Sequence, residues 1–214
     1  HSDLNQKPFT VSSLIRMGKG QYLIRFTTLM PELYKILMQV LLGKFRDGYR
    51  IRLRECEFDI ERLILGGVSE RFASVTDYHS VWQNTSRKKF RFRFVSPTSF
   101  KSGDGNLPFP LPYSLYHGLL IKWNQFAPNE FKIDEGILQT VMNHVFPSHH
   151  SIHTVVIEQK RNKLIGFVGN CTFDVIGEVS EEMLQQLTVL TEYAYYAGVG
   201  MKTTQGMGQV LIAK

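Results

Sequence analysis

The residue types best suited to chemistry lie in a glycine-rich segment near the end of the chain, residues 198–208, which reads Gly-Val-Gly-Met-Lys-Thr-Thr-Gln-Gly-Met-Gly. Glycine tolerates positive φ angles and close backbone approach, so this segment can aim several N–H groups at one phosphate while a lysine supplies charge. Its spacing fits neither a dinucleotide-binding fingerprint nor a Gly-Lys-Ser/Thr phosphate loop. The segment indicates either an anion-binding loop or a glycine-rich turn between two elements. The candidate anion-binding residues are Gly198, Gly200, Lys202, Gly206 and Gly208.

Two further stretches place basic residues at every second position. Successive side chains of a strand point to opposite faces, so each stretch predicts a strand with one cationic face. Such a face either binds the phosphates of a nucleic acid or is the solvated side of a half-covered strand. Arginine suits the first role because its planar guanidinium can bond a phosphate at two points. The residues are Arg50, Arg52 and Arg54 in the first stretch and Lys89, Arg91 and Arg93 in the second.

Histidines raise the question of a zinc site. Four of them fall between residues 144 and 153, but none has a cysteine nearby or a clear helical His-x-x-x-His pairing, so we favour a solvated loop. Two more are interpreted as packing or surface residues. No metal or other cofactor is predicted. The histidines concerned are His144, His149, His150 and His153, then His79 and His117.

The elements that hold these residues follow from the hydrophobic periodicity. Residues 89–214 predict strand, helix, strand, strand, helix and strand, which is the order of a ferredoxin-like unit. The last helix has a plausible N-cap at Ser180. Residues 7–15 and 21–29 predict a hairpin, residues 31–43 a helix and residues 49–58 a strand. The first half therefore has the same order without its opening strand and helix.

We predict an α+β fold of two tandem ferredoxin-like domains, 1–85 and 86–214, of which the first is incomplete at its start. Residues 69–88 are polar and irregular and are the best candidate for a linker or a surface excursion.

Composition narrows the class of protein. The 214 residues carry a net charge of +6, which favours a polyanionic partner. No stretch approaches the roughly 18 apolar residues of a membrane helix, and no signal-peptide pattern occurs, so a membrane location is not expected. The only two cysteines, Cys56 and Cys171, have no Cys-x-x-Cys spacing, and a reducing cytoplasm is predicted.

Residues 193–208, which join Tyr-Ala-Tyr-Tyr-Ala to the glycine-rich segment, resemble the signature loop of CRISPR-associated endoribonucleases, which process precursor CRISPR RNA within its repeats. Three other stretches resemble the same prokaryotic family and occur in its order: residues 7–12, 96–101 and 166–169.

The resemblance implies a metal-independent ribonuclease on two ferredoxin-like domains. Attack of a ribose 2′-OH on the adjacent phosphate would leave a 2′,3′-cyclic phosphate and a 5′-OH. His1 occupies the place of a family histidine that acts as acid or base, and Lys7 could carry a cationic role. The implied partners are CRISPR repeat RNA and subunits of an effector complex, with the protein acting as a monomer or a homodimer.

Two other functions remain open at this point. A non-catalytic RNA-binding subunit of an effector complex would share the fold and the glycine-rich segment. A ferredoxin-like domain that binds a metabolite is a further alternative, since a fold alone does not determine chemistry.

Overall fold

A computed structural model describes residues 6–46, 50–53, 55–66, 72–158 and 163–213. The predicted α+β class is confirmed. The elements of the N-terminal region, residues 6–66, are β1 (Phe9–Val11), β2 (Ile15–Arg16), β3 (Tyr22–Leu23), β4 (Phe26–Thr28), α1 (Pro31–Arg46), β5 (Arg50–Leu53) and β6 (Cys56–Asp59). A short helix, α2 (Tyr78–Trp82), lies in the stretch predicted as a linker, and the boundary between the two predicted domains stays a prediction.

The C-terminal region, residues 89–213, contains the three longest strands and the longest helix that the structure describes. Its elements are β7 (Lys89–Thr98), β8 (Phe100–Ser102), β9 (Gly105–Leu107), α3 (Pro112–Phe126), α4 (Ile137–His144), β10 (Val145–Glu158), β11 (Lys163–Val175), α5 (Glu181–Ala197) and β12 (Val210–Ala213). Four strands form one antiparallel sheet in the order β10-β11-β7-β12. The first strand of the unit thus lies between its third and fourth, as the predicted ferredoxin-like order requires.

One face of this sheet packs into the hydrophobic core. Phe90, Phe92 and Phe94 are at most 2% exposed, and the basic residues between them point to the other face, as predicted. Helices α3 and α5 cover the phenylalanines and contribute Trp123 and Leu187, which are fully buried. The N-cap prediction at Ser180 is confirmed, because its hydroxyl accepts a hydrogen bond from the amide of Met183.

The N-terminal region differs from its predicted pattern. Residues 49–58, predicted as one strand, contain two short strands, β5 and β6, that pair as a hairpin. The prediction was wrong because alternation of side chains does not distinguish one strand from two that reverse direction around Glu55. The stretches predicted as one hairpin, residues 7–15 and 21–29, form two nested pairs, β1 with β4 and β2 with β3.

Strand β10 corrects a second prediction. It begins at Val145, so His149, His150 and His153 lie on a strand and not in a loop. The polar composition suggested a loop, but β10 pairs with β11 along its whole length. Pairing between long strands tolerates polar side chains at exposed positions.

Candidate anion site and RNA interface

The glycine-rich loop, residues 198–208, connects α5 to β12. Gly198 ends the helix with a φ of 62°, and its N–H donates to the carbonyl of Ala194. Gly200, Gly206 and Gly208 also have positive φ angles, a region that L-residues with side chains seldom adopt. Local backbone geometry therefore explains why glycine recurs here.

Close approach of other backbone segments gives a second reason for glycine. A Cβ atom at Gly208 would lie 2.0 Å from the carbonyl oxygen of Val199, and one at Gly200 would lie 2.4 Å from that of Ser99. Both distances are far below van der Waals contact. The loop is therefore folded tightly on itself and against the segment that follows β7.

The amides of the loop do not have the arrangement that the sequence suggested. Met201 N–H donates to Ser99 O (2.9 Å), Gly208 N–H to Pro97 O (3.0 Å) and Gly206 N–H to Val11 O (3.1 Å). Val199 N–H donates to Gly208 O within the loop (2.8 Å). The prediction that several N–H groups point at one phosphate is wrong for these amides, because backbone carbonyls already occupy them. An RNA-binding role for the glycines and for the half-buried Lys202 stays a prediction.

The loop is the docking surface of strand β1. Val11 N–H donates to Thr203 O (3.0 Å), Val11 O accepts from Gly206, and Ser12 forms a parallel bridge with Gly206. Lys7 lies two residues before this strand and is exposed. The structure therefore ties the segment that carries Lys7 to the glycine-rich loop. His1, the other predicted catalytic residue, lies outside the described residues.

A buried arginine lies at the same junction and was not singled out from the sequence. Arg25 is 8% exposed; its Nη1 donates to Gln209 Oε1 at 3.2 Å, and its guanidinium stands 3.9 Å from the ring centre of Tyr195. Burial lowers the pKa of Arg25 and raises the pKa of Tyr195. The arginine fixes a positive charge where β4, α5 and the residue before β12 meet.

Lys122 is a second buried cation that the sequence did not reveal. It lies on α3, is 7% exposed, and donates from Nζ to Ala197 O (2.8 Å) and Thr203 Oγ1 (3.2 Å). Burial lowers its pKa to about 8. A lysine among leucines on a helix reads as a surface position, so its location required the tertiary structure.

The basic stripe of β7 lies on the exposed face of the large sheet. Arg91 pairs with Thr172 and Arg93 with Asn170 on β11, so each arginine has a polar uncharged residue beside it on that side. Lys89 lies 3.7 Å from the carboxylate of Asp174. The face opposite the core thus carries a row of cations with one carboxylate beside it.

The stripe of β5 is surrounded by acids. Arg50 Nε donates to Asp59 Oδ1 at 2.7 Å, and Arg52 stands opposite Glu57 in the hairpin register. Arg54 lies outside the described residues. The charges of β6 therefore offset much of the positive potential that the sequence predicted for this stripe.

The structure does not place the remaining candidate residues, among those it describes, in a metal site. In the described ranges, no group of three or more His, Cys, Asp and Glu residues could hold a metal ion. His117 stacks on Tyr113 with ring centres 5.5 Å apart, and His79 contacts Phe131 edge to face. Among the helices that the structure describes, none has the length and apolar character needed to cross a membrane.

An apolar cavity of about 360 Å³ opens between α1, β4 and α5. Residues such as Leu37 and Leu41 make its lining mainly apolar, and Arg25, Asp77 and Tyr193 also line it. The mainly apolar lining suits an apolar group better than a nucleic-acid backbone.

Comparison with known proteins gives a consistent result. The family model of CRISPR-associated endoribonuclease Cas6 matches residues 92–210. The CRISPR-associated endoribonuclease Cas6 of Streptococcus thermophilus is 28% identical over 121 residues, 56% of this chain and 49% of the relative. That of Mycobacterium tuberculosis is 25% identical over 125 residues, 58% of this chain and 39% of the relative. The chain thus spans about half, or less, of the length of the curated relatives it matches.

Solved structures resemble the chain over almost all of its length. A Cas6 (TTHA0078) product complex superposes with a TM-score of 0.88 at 25% identity, covering 99% of this chain and 84% of that one. Cas6 (TTHB231) of Thermus thermophilus superposes with a TM-score of 0.80 at 22% identity, covering 99% and 81%, and shows likeness of fold.

Proposed function

The chain belongs to the CRISPR-associated endoribonuclease Cas6 family, whose model matches more than half of its length, and we propose that it cleaves precursor CRISPR RNA within the repeats. The family match carries this proposal, because it includes the whole glycine-rich loop and most of β7, from residue 92 onward. Repeat RNA is the proposed partner, and delivery of the product to an effector complex would follow from it.

In the proposed reaction, a ribose 2′-OH attacks the adjacent phosphorus. A base takes the 2′-OH proton, the P–O5′ bond breaks, and an acid protonates the leaving O5′, which gives a 2′,3′-cyclic phosphate and a 5′-OH. We assign proton transfer to His1, since an imidazole titrates near neutral pH. Lys7 is assigned to stabilising negative charge on the phosphorane.

Two features support placing the reaction at the loop. Strand β1 is hydrogen-bonded to Thr203 and Gly206 through Val11, which fixes the backbone four residues after Lys7. Arg25 adds a buried positive charge at the same junction. A fixed cation stabilises a developing negative charge better than a mobile one, because no reorganisation is needed during the reaction.

RNA binding is assigned first to the exposed face of the large sheet, through Lys89, Arg91 and Arg93, with Lys202 in the loop. The glycines Gly198, Gly200, Gly206 and Gly208 contribute by shaping the loop. Arg50, Arg52 and Arg54 are assigned a smaller share, because Asp59 and Glu57 stand opposite the first two. Contacts of this kind weaken as salt concentration rises.

The chemistry can be tested with repeat RNA in EDTA. We expect one cut that leaves a 2′,3′-cyclic phosphate, and no cut when the ribose at that position is 2′-deoxy. Cleavage of the deoxy substrate, or cleavage only after addition of a divalent ion, would contradict the proposed reaction.

The role of His1 separates the enzyme from a binding subunit. His1→Ala should abolish cutting and leave RNA affinity within a few fold, because the imidazole acts on protons and contributes little to binding. A wild-type protein that retains RNA without cutting it would favour the non-catalytic subunit instead.

A further inference from the structure

Lys122 lies where a lysine is energetically costly. Its neighbours on α3 are Leu119, Leu120 and Trp123, which are at most 2% exposed, and the lysine itself is 7% exposed. Among the described residues, no carboxylate lies within 4.0 Å of its Nζ. Burial of an unpaired ammonium destabilises a protein unless other polar groups replace water, so the oxygens around Nζ have to do so.

Two oxygens take that role. Ala197 is the last residue of α5, and the amide that would complete its helical hydrogen bond, Met201 N–H, donates to Ser99 O instead. The Ala197 carbonyl accepts from Lys122 Nζ at 2.8 Å. A cation at this end of a helix also opposes the partial negative charge of the helix dipole. Thr203 Oγ1, in the glycine-rich loop, is the second acceptor at 3.2 Å.

Thr203 contacts both Lys122 and strand β1. Its backbone carbonyl accepts from Val11 N–H at 3.0 Å. Its methyl group fills the space between two glycines, since a Cβ at Gly198 or Gly208 would lie 3.1 or 3.0 Å from it. One residue therefore joins the buried lysine, the folded loop and the strand that follows Lys7.

We propose that Lys122 is a positioning residue of the junction between β1 and the glycine-rich loop: it holds Thr203 in place and thereby fixes β1 and the Lys7 segment against the loop. It does not touch the RNA. Its effect on cleavage rests on the proposed function, whereas its effect on the position of β1 does not. The buried ammonium provides a strong, directional hydrogen bond to a loop that is also held by backbone hydrogen bonds to Val11, Pro97 and Ser99.

Hydrogen exchange tests whether Lys122 holds β1 against the glycine-rich loop, and the measurement does not depend on catalysis. Lys122→Met keeps the volume of the side chain and removes its donors. We expect exchange of the Val11 amide to rise about tenfold relative to that of Val175, whose amide donates to Lys88 O at the large sheet. Global unfolding would raise exchange at both amides, so a selective rise at Val11 reports local opening of β1.

A double-mutant cycle tests whether the lysine acts through Thr203. Thr203→Val removes the hydroxyl and keeps the shape, so it should give a similar selective rise at Val11. The double variant should be no worse than the larger single effect, because both changes remove one interaction. Additive effects, or a Lys122→Met variant that alters Val11 no more than Val175, would overturn the proposal. If Lys122→Met fails to fold, the response of Val11 in Thr203→Val decides between the same two outcomes.

Cleavage provides the functional measurement. Lys122→Met should lower the single-turnover rate about tenfold and leave RNA affinity within about threefold, since it displaces the Lys7 segment and not the cationic sheet. Lys132→Met, which removes an exposed lysine, is the matched control and should change neither quantity. An unchanged rate in Lys122→Met would contradict the proposal. Absence of cutting by the wild type would contradict the proposed function alone, because the exchange result stands independently.

Discussion

The two regions of the molecule differ in how they are held together. In the C-terminal region, residues 89–213, side chains such as Phe92 and Trp123 are at most 2% exposed. In the described part of the N-terminal region, residues 6–66, Leu29 is the one buried apolar side chain, while Ile36 and Val40 on α1 are more than half exposed. The C-terminal region thus determines its own geometry by packing, whereas β1 takes its position from hydrogen bonds to the glycine-rich loop.

The two regions also differ in the charges that surround their basic strands. The basic stripe of β7 faces mostly neutral neighbours on β11, while the stripe of β5 faces acids on β6. Both stripes look alike in sequence. Strand pairing decides which of them presents a net positive surface, and this favours the large sheet as the proposed RNA-binding surface.

The largest expected effect tests the contrast in packing. Trp123→Ala should lower the free energy of unfolding by about 3–5 kcal/mol, since it empties a fully buried site and removes a hydrogen bond to Phe131 O. Ile36→Ala, on the exposed face of α1, should change it by less than about 1 kcal/mol. Urea denaturation measures both. Equal losses would show that the two regions are packed alike.

A pair of glycines tests the same contrast through the backbone. Gly208→Ala should destabilise by about 2–4 kcal/mol, because its φ is 70° and the new Cβ would meet Val199 O. Gly43→Ala, at a helical position of α1 with open space around it, should stabilise by up to about 1 kcal/mol. Thermal unfolding gives the two signs. A neutral Gly208→Ala would mean that the loop relaxes easily.

The pH dependence of stability tests the burial of Lys122. Its pKa is about 8 in the folded chain and 10.5 ordinarily, so between these values the unfolded chain binds more protons. The penalty for burying the charge is full below pH 8 and disappears as pH rises through 10.5. Relative to Lys122→Met, the wild type should therefore gain roughly 3 kcal/mol of unfolding free energy across this window. Parallel pH curves for the two proteins would contradict a buried charge.

The smallest expected effect concerns the β5–β6 hairpin. The Arg50 and Asp59 side chains are 68% and 74% exposed, so a double-mutant cycle with Arg50→Gln and Asp59→Asn should give a coupling below about 1 kcal/mol. The Asp59→Asn variant should also bind RNA slightly more tightly, because it uncovers the first basic stripe. A stronger coupling would make the N-terminal hairpin more self-sufficient than the burial pattern indicates.

Period-two and helical patterns predicted the C-terminal region well. Alternation of Phe90, Phe92 and Phe94 with basic residues predicted both the strand and its buried face, because a half-covered strand imposes this pattern. The same rule failed over residues 49–58, where two short strands alternate as one would. Local pattern predicts which face is buried but not where a chain reverses direction.

The site was harder to predict than the fold. The glycines marked the loop, but whether their amides meet a phosphate or a carbonyl depends on the segments at Pro97, Ser99 and Val11, which are distant in sequence. Arg25 and Lys122 have no local signal, since each becomes buried only when separate elements meet. A charge that is costly to bury is visible in the structure alone.

We propose that RNA binds the exposed face of the large sheet and is cleaved where β1 meets the glycine-rich loop. Comparing RNA affinity with the single-turnover cleavage rate in two variants tests this division most directly. Replacing Lys89, Arg91 and Arg93 together by glutamine should weaken affinity about tenfold or more, flatten its salt dependence and leave the rate at saturating RNA nearly unchanged. Lys7→Gln should lower the cleavage rate at saturating RNA and leave RNA affinity nearly unchanged. A fall of both quantities together in either variant would contradict the account.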